Sequence, residues 1–382
     1  MSGPDRRAEV VQHPRDALTG DEMLADEGQA PDGRGLSQSA DLGRRLSQLS
    51  PGHPSSPYQA DGSPKPPVPR LRDLEFPDED PSDQSDPADR ADRADPADQS
   101  DQIRPLTDQE HAEHAADARA RLDKAHADGL ATDQQYTLDP NRQSWSRDRR
   151  AAHYSIINDL YDSAADVPCG HKAIVAGGLG GSGKSTVLGQ YAGIDRSQYL
   201  TINPDDIKEE MARRGLVPEV EGVSPMEASD LVHEESSYLA RQLALRARAD
   251  GKNVIWDITM SSRASTERRI DDLRAAGYTQ IDAIFVDIPV ETSVSRADAR
   301  HRMGHDKYRA GQGLGGRLVP PEVIRAQADP EWGSLNRRTF EDVKPRCDNW
   351  SRYDNSVDGR DPVLAETSGH MEVHSDKLEE RV

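Results

Sequence analysis

The chain has 382 residues, length enough for two or three domains, yet only 34% of them are hydrophobic and 4% aromatic against 31% charged, so its whole length cannot fold around one core. The formal charge of −21, from 48 Lys and Arg against 69 Asp and Glu, argues against sequence-independent binding of nucleic acid or anionic lipid, both of which need basic surface. Cys169 and Cys347 stand far apart, no apolar run reaches the ~18 residues of a membrane span, and MSGPDRRAEVVQHPRD lacks the apolar segment of a signal peptide, so a soluble cytoplasmic protein is expected.

Residues 1–105 are dominated by Pro, Gly, Ser, Asp and Gln, with Tyr58 and Phe76 as their aromatics. From Asp83 to Asp101 an aspartate recurs at every third position, interrupted by Pro87 and Pro96. A helix would set these like charges at i,i+3, so the segment reads as a disordered acidic tail. Thr107 and Glu110 form a capping-box signature that opens an alanine-rich helix ending near Gly129. His111 and His114 sit at i,i+3 in that helix; with no third ligand near them in sequence, they read as part of a solvated face. A second helix, about 148–165, carries Ala152, Ile156, Leu160 and Ala164 on one stripe.

From His171 the texture changes. The apolar runs KAIVA, YLTIN, NVIWDIT and DAIFVDI alternate with long amphipathic stretches. Short apolar runs joined by helical crossovers predict right-handed βαβ units: an α/β, three-layer α/β/α fold of the P-loop NTPase type with a mostly parallel sheet. RCDNWSRYDN and PVLAETS are candidate late strands, and the tail after Gly369 reads as frayed.

The segment Gly178, Leu179, Gly180, Gly181, Ser182, Gly183, Lys184, Ser185 matches G-x-x-x-x-G-K-[ST], with Thr186 next in the following helix. It lies between an apolar strand and a helix, where glycines let backbone N–H groups cradle phosphate oxygens at a helix N-terminus. Lys184 is expected on the β- and γ-phosphates of ATP, and the Ser185 hydroxyl on Mg²⁺. No N-K-x-D guanine motif is present, and no apolar strand ends in paired Asp-Glu. The order that follows is that of a small-molecule kinase: Asp205 and Asp206 after a second strand, Asp257 and Thr259 after a third, then Arg296, Arg300, Arg302 and Arg317 on a candidate lid. Asp205 at a strand end suits the proton acceptor, though Asp205 or Asp206 also suits the cap of the next helix, Asp206 more so. Asp257 suits either Mg²⁺ or a capping or acceptor-contacting role.

At these residues the chain resembles the zeta toxin family, P-loop kinases that phosphorylate the 3′-hydroxyl of UDP-N-acetylaminosugars, over roughly 171–356. Ile202-Asn-Pro-Asp-Asp-Ile-Lys208 is similar to the family's I-D-G-D-x-[FI]-[RK], which implies Asp205 as catalytic base and Lys208 in place of an acceptor-contacting arginine. Ile255-Trp-Asp-Ile-Thr259 with Arg263 resembles the family's I-E-G-T-x-R, and Arg300 and Arg317 resemble its lid arginines. Asn203-Pro204 replaces the family's D-G, the helix of Glu234 and Glu235 leaves the acceptor-contacting glutamate open between the two, and HDKYRAGQGLGG is a Gly-rich insertion in the lid. The resemblance implies an ATP- and Mg²⁺-dependent kinase of a small-molecule hydroxyl, with a small helical antitoxin as a partner. Kinase of an antibiotic or other small alcohol, as in chloramphenicol phosphotransferases, is the alternative. A nucleotide-dependent interaction module is another, and the charge disfavours polynucleotide 5′-kinase. The chain is thereby divided into the tail 1–105, a helical segment 106–168 packing on the kinase domain 169–368, and a frayed 369–382.

Because residues 1–105 lack core-forming side chains, their deletion is expected to leave melting temperature and nucleotide binding nearly unchanged. A loss of several degrees would instead show that they pack on the domain.

Overall fold

Four buried strands in a row carry the molecule. In the computed structural model, which describes residues 104–369, a six-stranded sheet runs in the order β2-β3-β1-β4-β7-β8. The acidic tail up to residue 103 and the stretch from residue 370 lie outside the described residues. The strands are β1 (Lys172–Gly177), β2 (Leu200–Ile202), β3 (Val254–Asp257), β4 (Gln280–Asp287), β7 (Asn349–Asp354) and β8 (Val363–Thr367). All pair in parallel except β8, which is antiparallel to β7. Each of the four apolar runs read in the sequence contains one of the first four strands, and both late candidates are strands as well. β1, β3 and β4 are buried on both faces, which is why they read as unbroken apolar runs and not as alternating ones. A small β5–β6 ladder (Ala328–Asp329 with Gly333–Ser334) lies apart from this sheet.

The helices are α1 (Asp108–Ala127), α2 (Thr132–Tyr136), α3 (Arg147–Asp162), α4 (Lys184–Thr186), α5 (Pro204–Arg213), α6 (His233–Ala249), α7 (Arg263–Ala275), α8 (Val290–Arg309), α9 (Pro321–Arg325) and α10 (Leu335–Val343). The expected helix after the phosphate loop is short: one α-turn passes into a π-turn over Val187–Tyr191 and closes with Ala192 N–H donating to Val187 O. Register sets the site. Ala176 of β1 stands beside Asp257 of β3, and Gly177 beside Phe285 of β4, so Asp257 ends level with the start of the loop. In this strand order the chain leaves β1 for β2 and returns through β3 before crossing to β4, which makes the C-terminal end of β1 the topological switch point where ligands bind in such sheets.

The segment before β1 is tied to the rest through buried polar groups. The capping box of α1 is present, with Thr107 accepting from Glu110 N–H and the Glu110 carboxylate accepting from Thr107 N–H. The solvated-face reading of His111 and His114 is corrected. His111 is buried with its Nε2 3.2 Å from Asp306, and His114 Nε2 lies 2.6 Å from Glu227 Oε1. The partners stand 195 and 113 residues further along the chain, which no local pattern reveals. In α3, Arg149 Nε donates to Glu235 Oε1 at 2.7 Å and Nη2 to Oε2 at 2.9 Å, while His153 Nε2 lies 2.6 Å from Oε1. Burial alone would raise the Glu235 carboxyl, but the hydrogen bonds from His153 and Arg149 outweigh it and hold it below the usual range.

Breaking such a buried pair leaves an uncompensated charge and typically costs about 3–5 kcal/mol. Glu235→Ala is therefore expected to lower the melting temperature by on the order of 10 °C. Replacing both partners, as Arg149→Met with Glu235→Gln, should recover most of the loss. A calorimetric scan in which Glu235→Ala melts with the native chain would refute this role.

Candidate active site

Residues 178–183 form the loop between β1 and α4. Gly183 stands at the helix N-cap with φ +84°, a left-handed conformation that a side chain would strain. Three carbonyls of the loop are held from outside: Gly180 O accepts from Ser293 Oγ at 2.6 Å, Gly181 O from Arg296 Nη1 at 3.2 Å, and Ser182 O from Asn355 Nδ2 at 2.8 Å. The C=O and N–H of one trans peptide point in opposite directions. The N–H groups of Gly181 and Gly183 are thereby turned away from those donors, toward the cleft that Gly180–Ser185 line. Lys184 Nζ donates to Gly178 O at 3.1 Å and stands 3.7 Å from Asp257 Oδ1.

The other side of the cleft is acidic. β2 ends at Ile202, and Asn203 caps α5 by accepting from Asp205 N–H at 2.9 Å, with Pro204 at the first helical position, where its missing N–H costs nothing. This corrects the reading of Asp206 as the cap: the N-cap lies three residues earlier, so both aspartates lie within the first turn and face the cleft. Asp205 pairs with Arg317 and lies 3.7 Å from Lys208 Nζ, which in turn is 2.9 Å from His233 Nδ1. Desolvation would raise the Asp205 carboxyl, but the Lys208 and Arg317 charges overcome it and hold it well below the carboxylate range. Asp206 has only a hydrogen bond from Asn203 Nδ2 at 3.3 Å and the weak influence of the Arg196 charge. Desolvation and the nearby Asp257 and Asp205 carboxylates push it up to about 6.

Ser185 and Asp257 line the same cleft and offer oxygen donors only, the set a hard divalent cation takes along with water. The crowding of Asp206 against Asp257 and Asp205 marks a local excess of negative charge that such a cation would neutralise, so the residues present fit Mg²⁺.

The third wall is α8 and the Gly-rich loop after it. Arg300, Met303, Gly304 and Lys307 of α8 and Gly313–Arg317 of the loop face a cleft of about 920 Å³. A Cβ on Gly304 would lie 2.5 Å from Gly316 Cα, so the two backbones touch where helix and loop cross. Arg296 braces the phosphate loop and pairs with Asp358, and Arg302 pairs with Asp108 and Asp298 outside the cleft. The side chains of Arg300 and Lys307 make no hydrogen bond or ion pair with any described residue.

The cleft gathers Lys184, Ser185, Asp205, Asp257, Thr259, Arg300 and Arg317 as the sequence reading expected. Lys208 lies beneath Asp205 and is buried. Three expected acceptor contacts lie elsewhere. Glu235 is held by α3, and Glu234 stands 3.4 Å from Arg142, because both carboxylates complete ion pairs with the segment before β1. Arg263 is exposed and pairs with Glu267 and Asp342. Their neighbours His233, Ser237 and Arg269 line the cleft instead, Arg269 with its guanidinium 5.0 Å from the centre of the Trp256 ring. Ser293 and Asn355 left no sequence signal, since each meets the loop across more than a hundred residues.

The family model described as Zeta toxin matches residues 167–341, so the resemblance holds over that segment. Solved structures similar in part include the AvrRxo1-ORF1:-ORF2 complex with ATP, 20% identical over 62% of this chain and 76% of that chain with a TM-score of 0.47. Another is the PezAT chromosomal toxin–antitoxin system of Streptococcus pneumoniae, 14% identical over 56% of this chain and 80% of that chain with a TM-score of 0.41. No curated protein matches the chain.

The electrostatics give a stability test. The folded pKa of Asp206, about 6, lies above its ordinary 3.8, so its ionisation removes stability as pH rises through about 6. Asp206→Asn is expected to raise the melting temperature above pH 6, with a gain that vanishes below about pH 4, where both states are protonated. Equal melting temperatures for variant and native chain at pH 7.5 would contradict the crowding.

Proposed function

We propose, from the premise that residues 167–341 belong to the zeta toxin family, that this protein is an ATP- and Mg²⁺-dependent kinase whose acceptor is the hydroxyl of a UDP-N-acetylaminosugar or a closely similar nucleotide-sugar. The observation that carries the reading is the pair of cations Arg300 and Lys307, which make no hydrogen bond or ion pair with any described residue although Arg300 feels the Asp205 charge, on the wall of a cleft that also holds the phosphate loop and Asp205. In a chain of net charge −21, local cationic groups without protein partners favour anionic ligands. The transferring phosphoryl group engages Arg300 whatever the acceptor, which leaves Lys307 for the acceptor itself: a nucleotide-sugar brings a diphosphate to it, and a neutral antibiotic or other small alcohol does not.

The loop N–H groups and Lys184 hold the β- and γ-phosphates of ATP, with Gly178–Thr186 as the nucleotide-binding segment. Ser185 and Asp257 would hold Mg²⁺, which would supply charge neutralisation at the phosphate oxygens. Asp205 is the base: ionised at neutral pH, it accepts the acceptor hydroxyl's proton as that oxygen bonds to the γ-phosphorus and the bond to the β,γ-bridging oxygen breaks, releasing ADP. Its pairing with Arg317 aims the carboxylate, and Arg317 and Arg300 meet the charge on the transferring phosphoryl group. Lys208 and Thr259 complete the acceptor side. By family analogy a small helical antitoxin is the protein partner.

One observation favours a second assignment of the base: Asp206, pushed up to about 6, is the more basic of the two aspartates. Nucleotide-sugars and small alcohols, chloramphenicol included, would be tested for ATP-dependent phosphorylation. A nucleotide-sugar product is expected; ATP hydrolysis indifferent to every acceptor would favour an interaction module. In that assay Lys184→Ala should lose several orders of magnitude in turnover while remaining folded. Asp205→Asn should lose roughly 10²-fold or more with ATP affinity almost unchanged. With Asp205 as base, kcat/KM holds level down to pH 5; a decline below about pH 6, with the larger loss in Asp206→Asn, transfers the role to Asp206.

A further inference from the structure

Behind the wall formed by α8, four side chains from three separate segments converge. His114 comes from α1, Glu227 from the 3₁₀ turn Glu227–Val232, and His301 and His305 from α8. His114 Nε2, His301 Nε2 and His305 Nδ1 stand 2.6, 2.8 and 3.3 Å from one atom, Glu227 Oε1. The ligand atoms of His114, Glu227 and His301 all lie within 4.8 Å of one another. The other carboxylate oxygen, Oε2, is occupied by Ser224 N–H and Oγ–H, both at 2.8 Å, which fixes the orientation of the group and leaves Oε1 aimed at the imidazoles.

Hydrogen bonding alone does not account for the arrangement. A carboxylate oxygen offers about two lone-pair sites, and here three ring nitrogens crowd one oxygen. His305 is 7% exposed, and its Nδ1 has no hydrogen-bond partner although it points into the group. Glu227 is 1% exposed and His301 2%, so water does not readily satisfy them. A divalent ion would draw on His114, Glu227 and His301 at once and offer the buried His305 Nδ1 the partner it lacks.

We propose that His114, Glu227, His301 and His305 form a structural transition-metal site, with Zn²⁺ the best fit. Three imidazoles and one carboxylate suit zinc or its near neighbours and not Mg²⁺ or Ca²⁺, which take oxygen ligands. His114, Glu227 and His301 converge as three ligands, and the buried His305, its ring stacked on that of His114, is the fourth donor at hand, a set that suits a structural site. Ser224 acts as the outer partner that orients the carboxylate. The ion fastens α1, from the segment before β1, to α8. Its ligand His301 adjoins Arg300, and Glu227 adjoins Met226, both of which line the cleft. The site therefore braces the cleft wall without touching the reacting groups, and it stands whether or not the kinase reading does.

The test uses the full chain without an affinity tag, stripped with a chelator and titrated with Zn²⁺ and with Co²⁺. One equivalent of Zn²⁺ per chain is expected, with a melting temperature several degrees higher when loaded, and Co²⁺ should give the strong visible absorption of a tetrahedral site. His114→Ala and His301→Ala should each weaken Zn²⁺ binding by at least about 100-fold, more than the loss of an outer partner usually does. His126→Ala, whose ring pairs with Asp230 outside the group, should bind as the native chain does. Native binding no tighter than that of the His114→Ala, His301→Ala double variant, or a weak octahedral Co²⁺ spectrum, would overturn the proposal. The cobalt spectrum of the native chain decides even if a variant fails to fold.

Discussion

Everything at the cleft depends on how the loop after β1 is held open. A glycine-rich loop left to itself has too much conformational freedom to present its N–H groups in one direction. Here Ser293, Arg296 and Asn355 take three successive carbonyls from outside, so the N–H groups of Gly181 and Gly183 are turned away from those donors by peptide geometry, while Ser182 N–H donates within the loop to Leu179 O. Two of those three donors belong to α8, which also carries Arg300 and Lys307. The phosphate loop and the Arg300–Lys307 wall of the cleft are therefore coupled through one helix, and whatever positions α8 positions both.

The charge distribution follows a related constraint. The carboxylates Asp205, Asp206 and Asp257 end or follow neighbouring strands, because β2 and β3 are adjacent in the sheet. That adjacency would make them repel one another. Asp205 is relieved by Lys208 and Arg317, Asp257 has Lys184 nearby, and Asp206 retains the strain as a raised pKa. A carboxyl so perturbed within a cleft marks a candidate functional site.

The segment before β1 uses one device twice. Glu235 and Glu227 are both buried, and each is gripped by imidazoles or a guanidinium from that segment: Arg149 and His153 in one case, His114 in the other. A buried carboxylate is costly unless fully paired, so these contacts specify one placement of α1 and α3 more sharply than apolar packing does. They also explain why the glutamates of α6 are unavailable to the cleft.

The local pattern of the chain was enough to determine the strands β1 to β4, β7 and β8, the capping box of α1 and the glycine-rich loop between β1 and α4, because each rests on residues close in sequence. Unbroken apolar runs declare buried parallel strands, and G-x-x-x-x-G-K-S declares a phosphate cradle. Only the tertiary structure decided the rest. The N-cap fell to Asn203, two and three residues before the aspartates that suggest it. Arg263 turned to Glu267 and Asp342 while Arg269 reached the cleft, a choice of helix face set by packing. His111 and His114 read as solvated because their partners Asp306 and Glu227 lie 195 and 113 residues away, and a contact across such a distance exists only once the chain has closed around it.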